Sequence, residues 1–460
     1  MAIPRELEQS IAQIPKILDD TKNSKVAVIK RIIEKAKKKK GLSLKEAGYL
    51  VNLKNPGLIK DVFRVAAEIK QQIYGERLVF FAPLYVSDYC VNDCEYCNFH
   101  RRNTKLKRRR LTFKEVEEQV RFLINQGHKR TLLEFGEDPI QNNIGYVTDV
   151  IKKIYSVHTP KGNIRRVNVN IAATTVENYR RLKQAHIGTY QLFQETYHRP
   201  TYEKLHNGPK ADYERQITAH CRAFEGEIDD VGIGVLFGLY DWRYEVLGLV
   251  AHGQYLDKTY GVGPHTISIP RFCPAPSVNY RPEYAVSDAD FLKLIAILRL
   301  SVPYTGMIIS TRESPKIREI AFRIGISQAS AGSVTTTGGY GKMAKSPQFT
   351  IHDERSLQEV IKEVVKDKLV PSFCTACYRI GRTGERFMKL AKPGKIHNFC
   401  RPNALLTFAE YLNDFATDGL KEIGETLIQH YLNQIEDKPI RKEIIRRLAL
   451  ITSGKRDIYF

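Results

Sequence analysis

Short apolar or alternating runs recur through the middle of the chain, separated by segments whose apolar positions repeat every three or four residues. The first four runs are VFFAPLYV (79–86), TLLEFGE (131–137), VNVNIA (167–172) and TYQLFQET (189–196). Four more follow: VGIGVLFGL (231–239), TISIPRF (266–272), GMIIST (306–311) and ISQASAGS (326–333). Runs of this kind read as strands, and the stretches between them read as helices. Helix starts are marked by capping boxes at Thr112 to Glu115 and Thr174 to Glu177, and by Ser287 at the head of an amphipathic run. Strands alternating with helices in this number predict a (β/α)8 barrel of TIM type.

Residues 1–75 precede the first run and are patterned as helix. Residues 341–460 carry the helical patterns RSLQEVIKEVVKD, NALLTFAEYLNDF and EIGETLIQHYLNQI, with no convincing strand. The expected organisation is therefore an N-terminal helical extension (1–75), a barrel (76–340) and a helical C-terminal domain (341–460). With no internal repeat and no low-complexity linker, the C-terminal part is expected to pack on the barrel. There is no apolar block near the N-terminus and no run of about 20 apolar residues, so a cytoplasmic protein without a membrane segment is expected.

Charge adds one question. The 72 Lys and Arg against 51 Asp and Glu give a net +21, densest at KAKKKKG (from Lys35) and RRNTKLKRRR (101–110). Neither run is interleaved with aromatics, as a single-strand nucleic-acid surface would be. A solvated face comes first, an acidic protein partner second and nucleic acid third.

Six of the eight cysteines fall into two tight groups, and in a reducing compartment such groups are metal ligands or redox groups before they are disulfides. Cys90, Cys94 and Cys97 form C-x3-C-x2-C just after the first strand, at the rim where barrel active sites are built. Three thiolates hold three irons of a [4Fe-4S] cube and leave the fourth open, whereas zinc needs a fourth ligand, for which His100 is available. Cys374, Cys377 and Cys400 form C-x2-C-x22-C. They suit a second three-cysteine cluster, or a zinc site completed by His397. Cys221 and Cys273 match neither group and read as small buried residues.

The first motif, with aromatic Tyr96 before its third cysteine, resembles that of the radical S-adenosylmethionine (SAM) enzymes. FGED (Phe135 to Asp138) resembles the superfamily's Gly-Gly-Glu element for the methionine amine, departing at its first glycine. QETYHRP, containing Glu195, and GIGVLFGL, containing Gly232 and Gly234, resemble segments that approach SAM. A glycine-rich strand also permits close packing with no ligand involved.

Taken with APLYVSDYCVNDCEYC, ETYHRPTYEKLH and SFCTACYRIGRTGERFM, the two triads are similar over essentially the whole chain to the tyrosine-lyase family of [FeFe]-hydrogenase maturation. The resemblance implies two iron-sulfur clusters. The first, with SAM, generates a 5'-deoxyadenosyl radical that takes hydrogen from the amino group of L-tyrosine. Cα–Cβ cleavage then gives p-cresol and dehydroglycine. Dehydroglycine ends as carbon monoxide and cyanide on iron at the second cluster, and iron carrying both ligands passes on for hydrogenase assembly. It also implies SAM contacts at Tyr96, Gly136, Glu137, Asp138, Glu195, Gly232 and Gly234, and a labile additional iron on His265, a residue otherwise read as packing or turn capping. Implied partners are a reductant such as ferredoxin or flavodoxin and the other hydrogenase maturation proteins.

For the tyrosine carboxylate the candidates are Arg312, Arg318 and Arg323, any of which could instead be a helix-face charge, with Ser327 and Ser330 lining the same pocket. Two other readings stand beside this one. One is a tyrosine lyase feeding dehydroglycine to another pathway, with a structural C-terminal cluster; the other is a zinc-containing nucleic-acid-binding protein.

Overall fold

The computed structural model describes residues 2–342 and 346–460. Its centre is a closed parallel barrel of β1 (Arg77–Ser87), β2 (Arg130–Phe135), β3 (Arg166–Asn170), β4 (Tyr190–Gln191), β5 (Val231–Gly234), β6 (Thr266–Ser268), β7 (Gly306–Ile309) and β8 (Gln328–Ser330), with β8 returning to pair with β1. Helices on the outside bury the sheet's outer face, which is why these strands are apolar in near-continuous runs.

Every predicted strand is found, several of them shorter. TYQLFQET keeps only Tyr190 and Gln191 in the ladder, with Glu195 bridging singly to Val235. Past Gln191 the chain bends into the site, and Glu195 lies at φ +67, a left-handed conformation that is uncommon outside glycine.

The capping boxes are met at Thr112 but not at Thr174. There the cap is Thr175, whose hydroxyl accepts from Asn178 N, so the helix starts one residue later. Ser287 caps its helix as expected.

The N-terminal extension is a run of helices ending in Pro56–Tyr74, packed on the barrel helices Trp242–Tyr260 and Asp288–Ser301. The C-terminal part is mainly helical but holds a strand the sequence did not announce, β9 (Val370–Ser372). Pro371 argues against a central strand, but β9 is an edge strand, where the missing N–H does no harm. Val79 pairs with Gln328 on one edge of β1 and with Ser372 on the other. β9 therefore runs along the β2 side of β1, beyond the point where β2 begins. This pairing brings Cys374 to the barrel's N-terminal end.

No helix among the described residues is long and apolar enough to cross a membrane.

Candidate functional site

At the C-terminal end of the barrel lies a cavity of about 210 Å³, lined by Cys90, Cys94, Cys97, Tyr96 and the residues that follow each strand. The cysteine loop is held from inside. Arg108, in one of the basic runs, donates to the carbonyls of Asp88, Phe99 and His100, and Asp88 accepts from Arg109 N. Part of that run is thus a clamp and not a solvated face. Asn92 donates to Glu137 at 2.6 Å and accepts from Lys210 N at 2.8 Å, tying the loop to β2 and to the segment after β4.

Burial pushes the thiols of Cys90, Cys94 and Cys97 up, Cys97 to about 11, with Cys90 adding to the effect on Cys97. Such thiols become thiolates when a cation takes the proton's place. His100 Nδ1 lies 3.1 Å from Asp93 and its Nε2 is left without a partner, but the residue is not among those that line the cavity with the three thiols. No set of three His, Cys, Asp or Glu side chains among the described residues is drawn closely enough to hold a single ion. Three thiols walling one open cavity fit a cluster with an exposed iron.

Other candidates separate clearly. Gly136, Glu137 and Glu195 line the cavity. A methyl group at Gly136 would run into the Tyr89 carbonyl, so glycine is what lets the β2 loop pass the cysteine loop. Glu137 is held by Arg215 and Glu195 by Lys210, each at 2.6 Å. Burial pushes the Lys210 ammonium down, but Glu195 and the nearby Cys94 hold it above its ordinary value. Asp138 turns away and caps its own turn through Ile140 N and Gln141 N. Gly232 and Gly234 are packing positions: a Cβ would meet Thr266 and Gln191 at the first, Phe193 and Ser268 at the second.

Of the three arginines, only Arg312 reaches the cavity, with its guanidinium centre 3.3 Å from the Phe349 ring centroid. Arg318 is fully buried and paired with Asp353, while Arg323 lies outside on Asp367. Ser330 lines the cavity, but Ser327, at the far end of β8, accepts from Met307 N. Cys221 and Cys273 are buried apart from both triads.

The second triad lies at the barrel's opposite end. Cys374 follows β9, Cys377 sits in the short helix Ala376–Arg379, and Cys400 in the first turn of His397–Phe415. Arg77, Arg130 and Arg166 begin β1, β2 and β3 beside it, and none of them has a carboxylate partner among the described residues. Arg130 is 4% exposed; its Nε is unpartnered, and burial with Arg166 nearby pushes it down to about 9. Unpaired buried guanidiniums are costly unless an anion shares the site. A cluster on three thiolates is such an anion, so the residues fit one.

His397 packs its ring against Gly75, where φ is +67. His265, at the head of β6, reaches this floor: Tyr378, next to Cys377, lies 2.9 Å from its Nε2, and Asp230 lies 3.4 Å from its Nδ1. Sequence reasoning missed Glu134, Lys210, Asp230 and the arginine floor. For Glu134 and the arginines the one signal was polar residues at alternate positions of otherwise apolar strands; Lys210 and Asp230 stand outside the strands and carry none.

The chain matches the radical SAM superfamily over residues 84–247 and the biotin and thiamin synthesis associated domain over 268–369. A crystal structure of HydG, a maturase of the [FeFe]-hydrogenase, is 52% identical, covers 98% of this chain and 99% of that one, and superposes with a TM-score of 0.95. The chain belongs to the HydG family. HydG of Carboxydothermus hydrogenoformans is 38% identical over 96% of this chain and 99% of its own, with a TM-score of 0.85. Among curated proteins, the 2-iminoacetate synthase of Escherichia coli (strain K12) is 28% identical over 72% of this chain and 86% of that protein. As a HydG-family member the chain is a radical SAM enzyme, and Cys90, Cys94 and Cys97 fall inside the matched radical SAM segment, whose enzymes carry a [4Fe-4S] cluster and SAM.

Proposed function

We propose that this protein is a radical SAM tyrosine lyase. It cleaves the Cα–Cβ bond of L-tyrosine to p-cresol and dehydroglycine, and converts the latter to carbon monoxide and cyanide bound to iron at a second cluster, for [FeFe]-hydrogenase assembly. The observation that carries this reading is two cysteine triads at opposite ends of one barrel, the second beside three arginines with no carboxylate partner among the described residues, two of them, Arg130 and Arg166, buried. β1 alone spans 11 residues between the two ends, on the order of 35 Å. Two chemistries are thereby kept apart within one lumen.

The first cluster and SAM together supply a 5'-deoxyadenosyl radical. The chain's share is to place the substrate and keep out water. Arg312 receives the tyrosine carboxylate, its planar fork having no competing carboxylate within ion-pair distance among the described residues. Glu137 and Glu195 hold the SAM side of the cavity. At the other end, Cys374, Cys377 and Cys400 hold the second cluster and His265 the additional iron, imidazole being a good ligand for ferrous iron.

In this reading residues 1–75 brace the barrel, 76–340 carry the lyase site and 341–460 the second cluster. The enzyme works in the cytoplasm with a ferredoxin or flavodoxin as reductant and with the other maturation proteins. The Escherichia coli relative favours one alternative: 2-iminoacetate is dehydroglycine, and release of that product would leave the second cluster structural.

Iron and sulfide analysis after anaerobic reconstitution tests the two-cluster claim. Removing the first triad is expected to leave about five irons, and removing the second about four, with sulfide halved in each case. Zinc in place of iron at either triad would overturn the reading.

A further inference from the structure

Three carboxylates face the upper cavity, and two already have cations: Glu137 has Arg215 and Glu195 has Lys210. The third, Glu134, has none among the described residues. It stands on β2 between Tyr85 of β1 and Asn170 of β3 in the register of the sheet, and Asn170 Nδ2 donates to its Oε2 at 2.9 Å. Oε1 makes no hydrogen bond among the described residues. Arg312 faces the same space with no carboxylate of its own. Both charges are near enough to act on the Tyr85 hydroxyl. The cavity thus offers one unsatisfied cation and one unsatisfied carboxylate, the complement of an α-amino acid zwitterion.

We propose that Glu134 binds the substrate's α-ammonium group and accepts its proton. This rests on the tyrosine-lyase reading and names the residue that readies the amine. The N–H bond of the ammonium breaks heterolytically, the proton passes to Oε1, and the electron pair stays on nitrogen. The resulting neutral amine is the form whose remaining N–H can give up a hydrogen atom. A group of matched basicity suits this transfer. Burial raises the Glu134 carboxyl to about 8, Arg312 and the Asn170 amide opposing the rise and Glu195 adding to it, so in the empty cavity near pH 7 it is mostly protonated, and the charge of the arriving ammonium favours the carboxylate form that accepts.

The test compares L-tyrosine with 3-(4-hydroxyphenyl)propanoate, which keeps the carboxylate and the phenol but lacks the ammonium. Binding to the reconstituted holoenzyme is measured for wild type, Glu134→Gln and Glu134→Asp. The wild type is expected to prefer tyrosine, and Glu134→Gln to lose that preference at least tenfold, with the propanoate bound as before. p-Cresol formation by Glu134→Gln is expected to fall about a hundredfold near pH 7 and to recover partly above pH 9, where free tyrosine supplies its own neutral amine. Glu134→Asp should restore part of the preference. Equal weakening of both ligands, or an unchanged pH profile, would overturn the proposal. If the wild type binds neither ligand, the tyrosine-lyase reading itself fails.

Discussion

Tyr378 and His265 meet at the floor of the barrel, with the phenol oxygen 2.9 Å from Nε2. Asp230, fully buried, lies 3.4 Å from Nδ1 of the same ring, and the Arg166 guanidinium stacks 3.0 Å above the phenol ring. Asp230 therefore favours the tautomer with hydrogen on Nδ1, which leaves Nε2 as the nitrogen available to a metal. Tyr378 is the group an iron on His265 has to displace.

His265→Ala is accordingly expected to lose the additional iron and carbon monoxide formation while p-cresol formation stays within about twofold of wild type. Asp230→Asn should weaken retention of the additional iron about 10- to 100-fold, as outer partners of ligating histidines do. Iron titration against a chelator, beside a p-cresol assay, reads both effects.

The arginine floor predicts opposite signs in the empty and loaded protein. Without a cluster, Arg130→Met removes an unpaired buried charge and should raise the melting temperature. With the cluster present, it removes a counter-charge and should lower iron retention at the second triad. Thermal melts of apo protein and iron content after reconstitution check the two halves separately.

The three arginines after β7 are expected to behave differently. Arg312→Ala should weaken L-tyrosine binding about 10- to 100-fold, the ~1.5–3 kcal/mol of a hydrogen bond to a charged group. Arg323→Ala should leave it unchanged, since that side chain is exposed and paired with Asp367. Arg318→Ala should act on folding, because it takes a fully buried side chain from the core and one of the two arginines from buried Asp353, which keeps Arg355; the loss of stability is read in denaturant melts.

Much of the barrel could be read in advance because parallel strands buried on both faces are written as apolar runs, and both cysteine triads were legible from spacing alone. β9 was not, because three residues containing proline carry no strand signal until the edge of β1 is there to receive them. The Thr174 cap was read one residue early because Thr174 and Thr175 both offer a hydroxyl. Arg312, Arg318 and Arg323 share one stretch of sequence, and only the path of the chain separates cavity, core and surface. Glu134 is the most instructive omission. A glutamate inside TLLEF marks a residue facing the lumen, but its role depends on a charge from the turn after β7, far along the chain.

Glu245 makes stability depend on pH in a defined direction. Its carboxylate accepts from Thr196 Oγ1 and Tyr197 N, and burial raises it to about 8 against those two bonds. The folded protein therefore keeps this proton up to about pH 8, whereas the unfolded chain loses it near the ordinary carboxyl value of 4.5. Its contribution to stability is complete below pH 4.5 and is lost as pH rises through 8. Glu245→Gln, which cannot ionise, should gain on wild type between pH 5 and 8 by up to several kcal/mol, at ~1.4 kcal/mol per pH unit. Melting temperatures of both proteins across that range measure it.

The central claim is two sites in series within one barrel. The most direct measurement gives anaerobically reconstituted wild type and Cys377→Ala L-tyrosine, SAM and dithionite, and assays p-cresol and haem-trapped carbon monoxide in the same reaction. Both products are expected from wild type, and p-cresol without carbon monoxide from Cys377→Ala. Carbon monoxide at wild-type level from Cys377→Ala, or p-cresol alone from wild type, would contradict it.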